Sequence, residues 1–337
     1  MKRVKVGLIG TGRIGKLHVE NLSVRIPAAE VVAVADPFIE GAKEVAAKFD
    51  INTVTSDYKE ILSIPEVEAV FICSPTDTHA QCIMEAAVAG KHIFCEKPLD
   101  LSLDKIRMVL DAVEKAGVKL MVGFNRRFDP NFAKVQQMVK AGKVGIPHIL
   151  KITSRDPEPP PAEYVKVSGG IFLDMTIHDF DMTRFVLDTE VTEVYAKATV
   201  LIDPAIGKAG DADTAITTLF FENGAIGSID NSRKAVYGYD QRLEVFGSEG
   251  MVMIDNNTPD NHTYYNKKGS HGSLPLNFFM DRYVESYSIE TESFIDAVVH
   301  DKEVPVSGKD GLMSVAIGLA ARKSVIENRP VKLNEIL

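Results

Sequence analysis

Cysteine is scarce: the 337 residues contain three, Cys73, Cys82 and Cys95. No C-x-x-C or His/Cys spacing joins them, which argues against a zinc module and a disulfide framework. Cys73 and Cys95 each close an apolar run that reads as a buried strand, where cysteine acts as a small hydrophobe, so all three are expected to be reduced and structural. Positive charge is also in short supply. Lys and Arg number 38 against 47 Asp and Glu, a formal net charge of −9, and an acidic surface does not attract nucleic acid or an anionic membrane. No apolar run approaches the ~18 residues of a membrane-crossing helix. Met1-Lys2-Arg3 leads into an apolar strand rather than a secretory signal, so the expected location is the cytoplasm. Internal repeats, low-complexity tracts and disordered linkers are absent too.

What is present is a globular composition, 45% hydrophobic and 25% charged, on a chain too long for one ordinary core. Two domains are expected. The first is organised by residues 4–15, V-K-V-G-L-I-G-T-G-R-I-G. Val4, Val6, Leu8 and Ile9 suit a strand buried on both faces of a parallel sheet. Gly10, Gly12 and Gly15 then form G-x-G-x-x-G, with Thr11, Arg13 and Ile14 between them, where a helix should begin. Gly10 permits the tight turn, Gly12 lets backbone N–H groups approach a pyrophosphate, and Gly15 lets the helix pack on the strand. A second apolar strand ends at Asp36, twenty-one residues beyond Gly15, where a carboxylate accepts hydrogen bonds from an adenosine ribose. Strand, glycines, helix and acid in that order predict a dinucleotide site. Asp36 is followed by Pro37-Phe38 rather than a basic residue, and a carboxylate repels a 2′-phosphate, so the expected cofactor is NAD rather than NADP.

Strands and helices continue to alternate to residue 122. The first helix should reach Arg25 and stop before Pro27. His18 on it either faces the cofactor or packs as an ordinary histidine. Further helices are expected over 40–48, after Asp57 as N-cap, up to Gly90, and from Ser102 as cap to Ala116 with Gly117 closing it. Strands are expected near 53–54, 69–73, 92–95 and 120–122. Six β/α units predict a doubly wound parallel sheet, a Rossmann-type domain over residues 1–123, with ligands at the strands' carboxyl ends. Ser74, Thr76 and His79 follow the fourth strand, where hydroxyls and unpaired helix N–H groups can hold the far part of a cofactor. Glu96-Lys97-Pro98 follows the fifth. Pro98 fixes the backbone, Glu96 offers a carboxylate to the ammonium, and a lysine at the crevice is the expected catalytic group.

Residues 124–337 read as an α+β domain with a large, mainly antiparallel open sheet. Strand-like runs cover 149–153, 193–202, 214–221, 243–246 and 251–254, with a hairpin signal at Asn223-Gly224. Helices are expected after Pro130 to Lys140 and over 281–299 and 309–327. Residues 156–161, D-P-E-P-P-P, can be neither helix nor central strand; they are a stiff lid or an exposed connector. Ser168-Gly169-Gly170 precedes a helix on which Asp174, His178 and Asp181, spaced four and three apart, share one face. That stripe could be metal ligands, a proton-transfer group or a solvated face. A nicotinamide fold upstream favours the second, because taking hydride from an alcohol carbon requires a base for the hydroxyl proton. A large sheet with helices on one face leaves the other to be covered, so self-association is expected.

Taken together, Gly10-Thr11-Gly12-Arg13-Ile14-Gly15, Glu96-Lys97-Pro98 and Gly169-Gly170-x-x-x-Asp174-x-x-x-His178 give the chain a resemblance to the glucose–fructose oxidoreductase/inositol dehydrogenase/MocA family over essentially its whole length. Within it, residues 123–129, 154–157 and 236–240 are most similar to the inositol 2-dehydrogenases. The resemblance implies NAD-dependent oxidation of a cyclitol secondary alcohol to a ketone. Myo-inositol is the first choice, with scyllo- or chiro-inositol or a pyranose sugar as alternatives. It implies Lys97, Asp174 and His178 as catalytic trio, without a metal. The cofactor would be held by Gly10, Thr11, Gly12, Arg13, Ile14, Gly15, Asp36, Ser74, Thr76, His79, Glu96 and Lys97. The polyol shell would be Asn125, Arg126, Asp156, Asp174, His178, Asp181 and Tyr237, since each unmatched buried polar group costs about 1–3 kcal/mol. Some inositol dehydrogenases carry histidine at the place of Ser154 and methionine at that of Asn125, differences that bear on the stereoisomer. A homotetramer built through the second sheet is also implied. The rival of another class is a non-catalytic sensor of NAD and sugar. A metal enzyme using Asp174 and His178 lacks a third ligand at suitable spacing.

Overall fold

Val4–Ile9 forms β1, buried at every position except Lys5, which fits an apolar strand covered on both sides. The computed structural model describes residues 3–337; Met1 and Lys2, expected to lead into this strand, lie outside them. β2 (Ala29–Ala35), β3 (Thr53–Thr55), β4 (Ala69–Ile72), β5 (His92–Glu96) and β6 (Leu120–Gly123) join β1 in a parallel sheet of order β3-β2-β1-β4-β5-β6. The order reverses between β1 and β4, which is where such sheets leave a crevice for ligands. As expected, Asp57 caps the helix Tyr58–Ser63 by accepting from the Lys59 amide at 2.9 Å. Gly117 ends the helix Leu103–Ala116 at φ 65°.

Three features of this unit differ from expectation. The first α-helix, Arg13–Glu20, gives way to a π-helical turn, Asn21–Arg25. The wider turn keeps Asn21 and Leu22 inward while residues 23–25 stay exposed. Ser102 stands at a helix N-cap without a side-chain cap bond, because Asp100 takes the Ser102 amide at 2.9 Å. Finally, the unit is discontinuous: residues up to Phe128 group with Glu285–Met313. Phe294 from this return segment stands edge-on to Phe71, 5.3 Å between centroids, and the Val306 carbonyl accepts from the Val122 amide at 3.1 Å.

The second unit comprises Asp129–Val284 and Ser314–Leu337. Its main strands are β7 (Pro147–Arg155), β8 (Val191–Thr199), β9 (Thr214–Phe221), β10 (Ile226–Ser232), β11 (Asp240–Gly247) and β12 (Gly250–Ile254). An exposed hairpin, β13 (Thr263–Asn266) with β14 (Gly269–Gly272), stands apart, and β15 (Val331–Lys332) completes the sheet. The order is β12-β11-β7-β10-β9-β8-β15, antiparallel except for the parallel pair β7–β10. Gly224, at φ 84°, turns β9 into β10 as its motif predicted. On β7 Leu150, Ile152 and Ser154 are buried, and Ile149 and Lys151 are exposed. Register aligns Ile226, Ile149, Phe246 and Met251 into one exposed apolar row across four strands. The helix expected over 281–299 is broken at Tyr283 into Phe279–Arg282 and Val284–Val299. No helix among the described residues is long and apolar enough to cross a membrane.

Candidate active site

In the first unit the three motif glycines divide their work. Gly10 has φ +93°, and a Cβ there would lie 2.7 Å from the Cys73 carbonyl and the Ser74 nitrogen. A Cβ on Gly15 would stand 1.9 Å from the Gly10 oxygen. Both are demanded by the fold. Gly12 has an ordinary φ of −66° and nothing within 4 Å of its would-be Cβ, so it keeps space open at the N-terminus of the helix Arg13–Glu20. Open space beside unpaired helix N–H groups fits a pyrophosphate. Arg13 is exposed and Ile14 half-buried in that first turn.

Asp36 closes β2. Its Oδ2 accepts from the Thr11 amide at 2.7 Å and the Thr11 hydroxyl at 3.0 Å, and its Oδ1 from the Phe38 amide at 2.8 Å. Thr11, itself buried, therefore positions Asp36. A carboxylate offers about four lone-pair sites, so Asp36 retains acceptor capacity for a ribose hydroxyl. Donors and space thus fit an adenine dinucleotide.

After β4, the Thr78 hydroxyl donates to the Pro75 carbonyl and accepts from the Ser74 hydroxyl, both at 2.7 Å. The helix Thr76–Val88 begins there without a side-chain cap. His79 is buried and acts as a strut. Its Nδ1 is 2.7 Å from the Pro98 carbonyl and its Nε2 2.8 Å from the Ser74 carbonyl, tying this loop to the one after β5. Lys97 is half-buried directly after β5, and Glu96 points inward, its Oε1 2.9 Å from His18 Nε2. Asn125 and Arg126 are buried in the 3₁₀ turn Asn125–Phe128 after β6, and Asn125 Nδ2 has no protein partner. Arg127 pairs with Asp310 at 3.0 Å. Burial works to raise the Asp310 carboxyl, but Arg127 and the Ser307 hydroxyl and amide outweigh it and hold it at about 2.

In the second unit Asp174 and His178 do not share an uninterrupted α-helix. Asp174 lies in a π-helical turn, Ile171–Met175, and His178 in the first turn of the helix Ile177–Leu187. The turn is set by Gly169 and Gly170, at φ 90° and 77°, and by Asp211, whose carboxylate accepts the Ile171 amide at 2.9 and 3.1 Å. A Cβ on Gly170 would meet Asp211 Oδ1 at 2.5 Å. Asp174 accepts from Arg233 Nη1 and Nη2 at 3.2 Å each and from the Tyr164 hydroxyl at 3.0 Å. Arg233, 4% exposed, also reaches Asp156 at 3.5 Å, so one guanidinium joins two acids of the expected shell. Burial, then the Asp174 charge, pushes the Tyr164 phenol up. Asp181 is buried in the same helix as His178. Asn231 anchors that helix to β10, donating to Asp179 at 2.9 Å and accepting from Thr176 at 2.9 Å.

Tyr237 belongs to another network. Its hydroxyl donates to Asp240 at 2.5 Å and accepts from Arg155 at 3.1 Å. By strand alternation Arg155 and Asp240 point to the face that carries Ile149 and Phe246, opposite to Asn231 and Ser154. Sequence reasoning missed Arg233 and Tyr164. The available signals were a polar alternation, Asn231 then Arg233, at the end of an apolar strand, and a tyrosine just after the proline run. Among the described residues, one group of His and acid side chains lies within common reach of a metal ion, His18, Glu96 and Glu290, and it is not the Asp174–His178 segment.

Comparison with known proteins adds the following. The model of an oxidoreductase family with an NAD-binding Rossmann fold matches residues 4–124, and the GFO/IDH/MocA C-terminal domain matches residues 132–253. The uncharacterized oxidoreductase YrbE of Bacillus subtilis is 51% identical, over 98% of this chain and 97% of its own. The myo-inositol 2-dehydrogenase of Thermotoga maritima is 48% identical, over 99% of this chain and 100% of its own. A crystal structure of the myo-inositol dehydrogenase of Lactobacillus casei in complex with NAD(H) and myo-inositol matches with a TM-score of 0.88 at 27% identity, covering 98% of this chain and 96% of that one.

Proposed function

Because this chain belongs to the GFO/IDH/MocA family of NAD-binding oxidoreductases, we propose that it oxidises myo-inositol to the 2-keto inositol with NAD as hydride acceptor. The observation that carries this reading is the likeness to the Thermotoga myo-inositol 2-dehydrogenase over the length of both chains. The open space at Gly12 and the fixed carboxylate of Asp36 support NAD, which supplies the acceptor for a hydride when bound. Lys97 donates a hydrogen bond to the reacting oxygen and favours its partly anionic state. His178 removes the hydroxyl proton, and Asp174, held by Arg233 and Tyr164, orients the imidazole and stabilises its charged form. Asn125, Arg126, Asp156 and Asp181 supply donors and acceptors to the other hydroxyls. The unfilled Nδ2 of Asn125 is the clearest support for that shell.

The same reading includes a cytoplasmic homotetramer. The exposed row of Ile226, Ile149, Phe246 and Met251 supports association through the second sheet.

Initial rates of NADH formation at alkaline pH test the proposal, with myo-inositol, scyllo-inositol, D-chiro-inositol, glucose and xylose each paired with NAD and NADP. The fastest turnover is expected with myo-inositol and NAD. Good rates only with an aldose would overturn the substrate, and NADH binding without turnover of any polyol would favour a sensor.

A further inference from the structure

The helix Ile177–Leu187 carries a capping signature that it does not spend on itself. Thr176-Ile177-His178-Asp179 has the form hydroxyl-x-x-acid, in which the hydroxyl takes a first-turn amide and the acid reaches back to the cap residue. Thr176 is the N-cap, yet its side chain makes no cap bond, and its amide donates to the Ile171 carbonyl at 2.9 Å. Both side chains meet Asn231 of β10 instead. Thr176 Oγ1 lies 2.9 Å from Asn231 Oδ1, and Asn231 Nδ2 lies 2.9 Å from Asp179 Oδ2. Nδ2 also donates to the Ser154 carbonyl at 3.3 Å. Thr176, Asp179 and Asn231 are all buried, so these bonds form out of water.

Donors and acceptors allow one arrangement. A carboxylate only accepts, so the amide nitrogen of Asn231 faces Asp179 and its oxygen faces Thr176, whose hydroxyl donates. That hydroxyl is also 3.0 Å from the Ile171 carbonyl, so its single hydrogen is shared between two oxygens. Both donors and the acceptor of the Asn231 amide are thus used. Its own backbone is paired on both sides, to β7 and to β9, which makes it a fixed anchor. His178 stands between the two residues it grips. From Ile171 to Arg184 only Asp174 and His178 are less than buried, so the direction of the imidazole follows the backbone of this turn. On one side that backbone is the π-helical turn Ile171–Met175, and on the other the first-turn amides lack intrahelical acceptors. The hold therefore comes from outside the helix, and Asn231 supplies it.

We propose that Asn231 is a positioning residue for the reaction: it holds the start of the helix from β10, through Thr176 and Asp179, and thereby sets the direction in which the His178 imidazole leaves the backbone. The proposal rests on the role of His178 as base stated above.

Three variants of the full-length protein test it. Asn231→Asp keeps the shape but sets a second carboxyl against Asp179. Two facing carboxyls share a proton at lower pH and lose it as pH rises. Turnover of myo-inositol should therefore fall about tenfold at neutral pH and about a hundredfold at alkaline pH, with KM for NAD and NADH affinity unchanged. Asn231→Asp with Asp179→Asn exchanges donor and acceptor, and should recover most of the rate and remove the added pH dependence. Thr176→Val keeps the branched shape without the hydroxyl and should lower kcat about fivefold; it carries the test where Asn231→Asp does not fold. Turnover within twofold of the unaltered protein in either single variant, or an exchanged pair no better than Asn231→Asp, overturns the proposal. NMR of the histidine-labelled protein needs no turnover. The imidazole signal of His178, assigned with His178→Gln, should be single in the unaltered protein and shifted or split in Thr176→Val. An identical signal in both would overturn the positioning role. No turnover with any polyol would sink the proposed function, and the His178 signal would still decide whether Asn231 holds the ring.

Discussion

The loop of residues 10–15 and the turn of residues 169–178 both present chemistry at the start of a helix, but they are made of different material. The loop is nearly all backbone: two glycines close against Cys73 and against each other, and the third holds space open. The turn depends on side chains brought from elsewhere, with Asp211 fixing its start and Arg233 and Tyr164 fixing Asp174. A backbone site fails when a carbon is added. A side-chain site fails when a distant partner is removed, and its partners sit on other segments: Tyr164 on the helix Ala162–Ser168, Asp211 ahead of β9 and Arg233 just after β10.

The largest effect is expected at a residue belonging to neither region. Lys97→Ala should lower kcat on the order of a thousandfold or more while NADH still binds in a fluorescence titration. Unaltered turnover would remove the lysine from the mechanism. Within the loop, Gly10→Ala should cost about 3 kcal/mol in urea unfolding, from a positive φ and overlap with the Cys73 backbone. Gly12→Ala should leave the unfolding midpoint nearly unchanged and weaken NADH binding. Equal destabilisation by the two would erase the division between fold glycines and ligand glycine.

Asp310 asks whether the first unit also relies on a borrowed side chain. Its folded carboxyl lies at about 2, below an ordinary value of 3.8, so its contribution is present above about pH 4 and is lost as pH falls towards 2. Asp310→Asn should cost about 2 kcal/mol at neutral pH and flatten the acid limb of stability over that window. Stability that falls with acid equally in both proteins would remove the Arg127 pair from the account. The smallest change is expected from Arg233→Lys, which keeps charge but loses the fork that joins Asp174 to Asp156. It should lower kcat/KM for myo-inositol about fivefold without altering NADH affinity, and an unaffected rate would return Asp174 to a self-sufficient helix face.

What could be read in advance follows the same division. The parallel sheet, the glycine loop, Asp36, the Asp57 cap and the turns at Gly117 and Gly224 were legible because each is a local demand of the backbone on residue type. The two π-helical turns were not, since a single wide turn leaves the apolar spacing on either side almost intact. Nor was the parallel pairing of β7 with β10, because alternation assigns faces and not neighbours. The apolar stripe of the helix Val284–Val299 states that the helix must be covered but not which sheet covers it. Arg233 was hidden for a related reason: its meaning lies in Asp174, 59 residues away.

The return of Glu285–Met313 to the first unit sets an order of events during synthesis. By the time Phe128 leaves the ribosome, all six strands of the parallel sheet have been made, but Thr291, 273 residues beyond His18, has not. Phe71, Phe94 and His18 must wait through translation of β7–β12 for Tyr287 and Phe294 to cover them. The half that emerges first is thus completed late, and in that interval its aromatic face is the surface most open to chaperones and to other nascent chains.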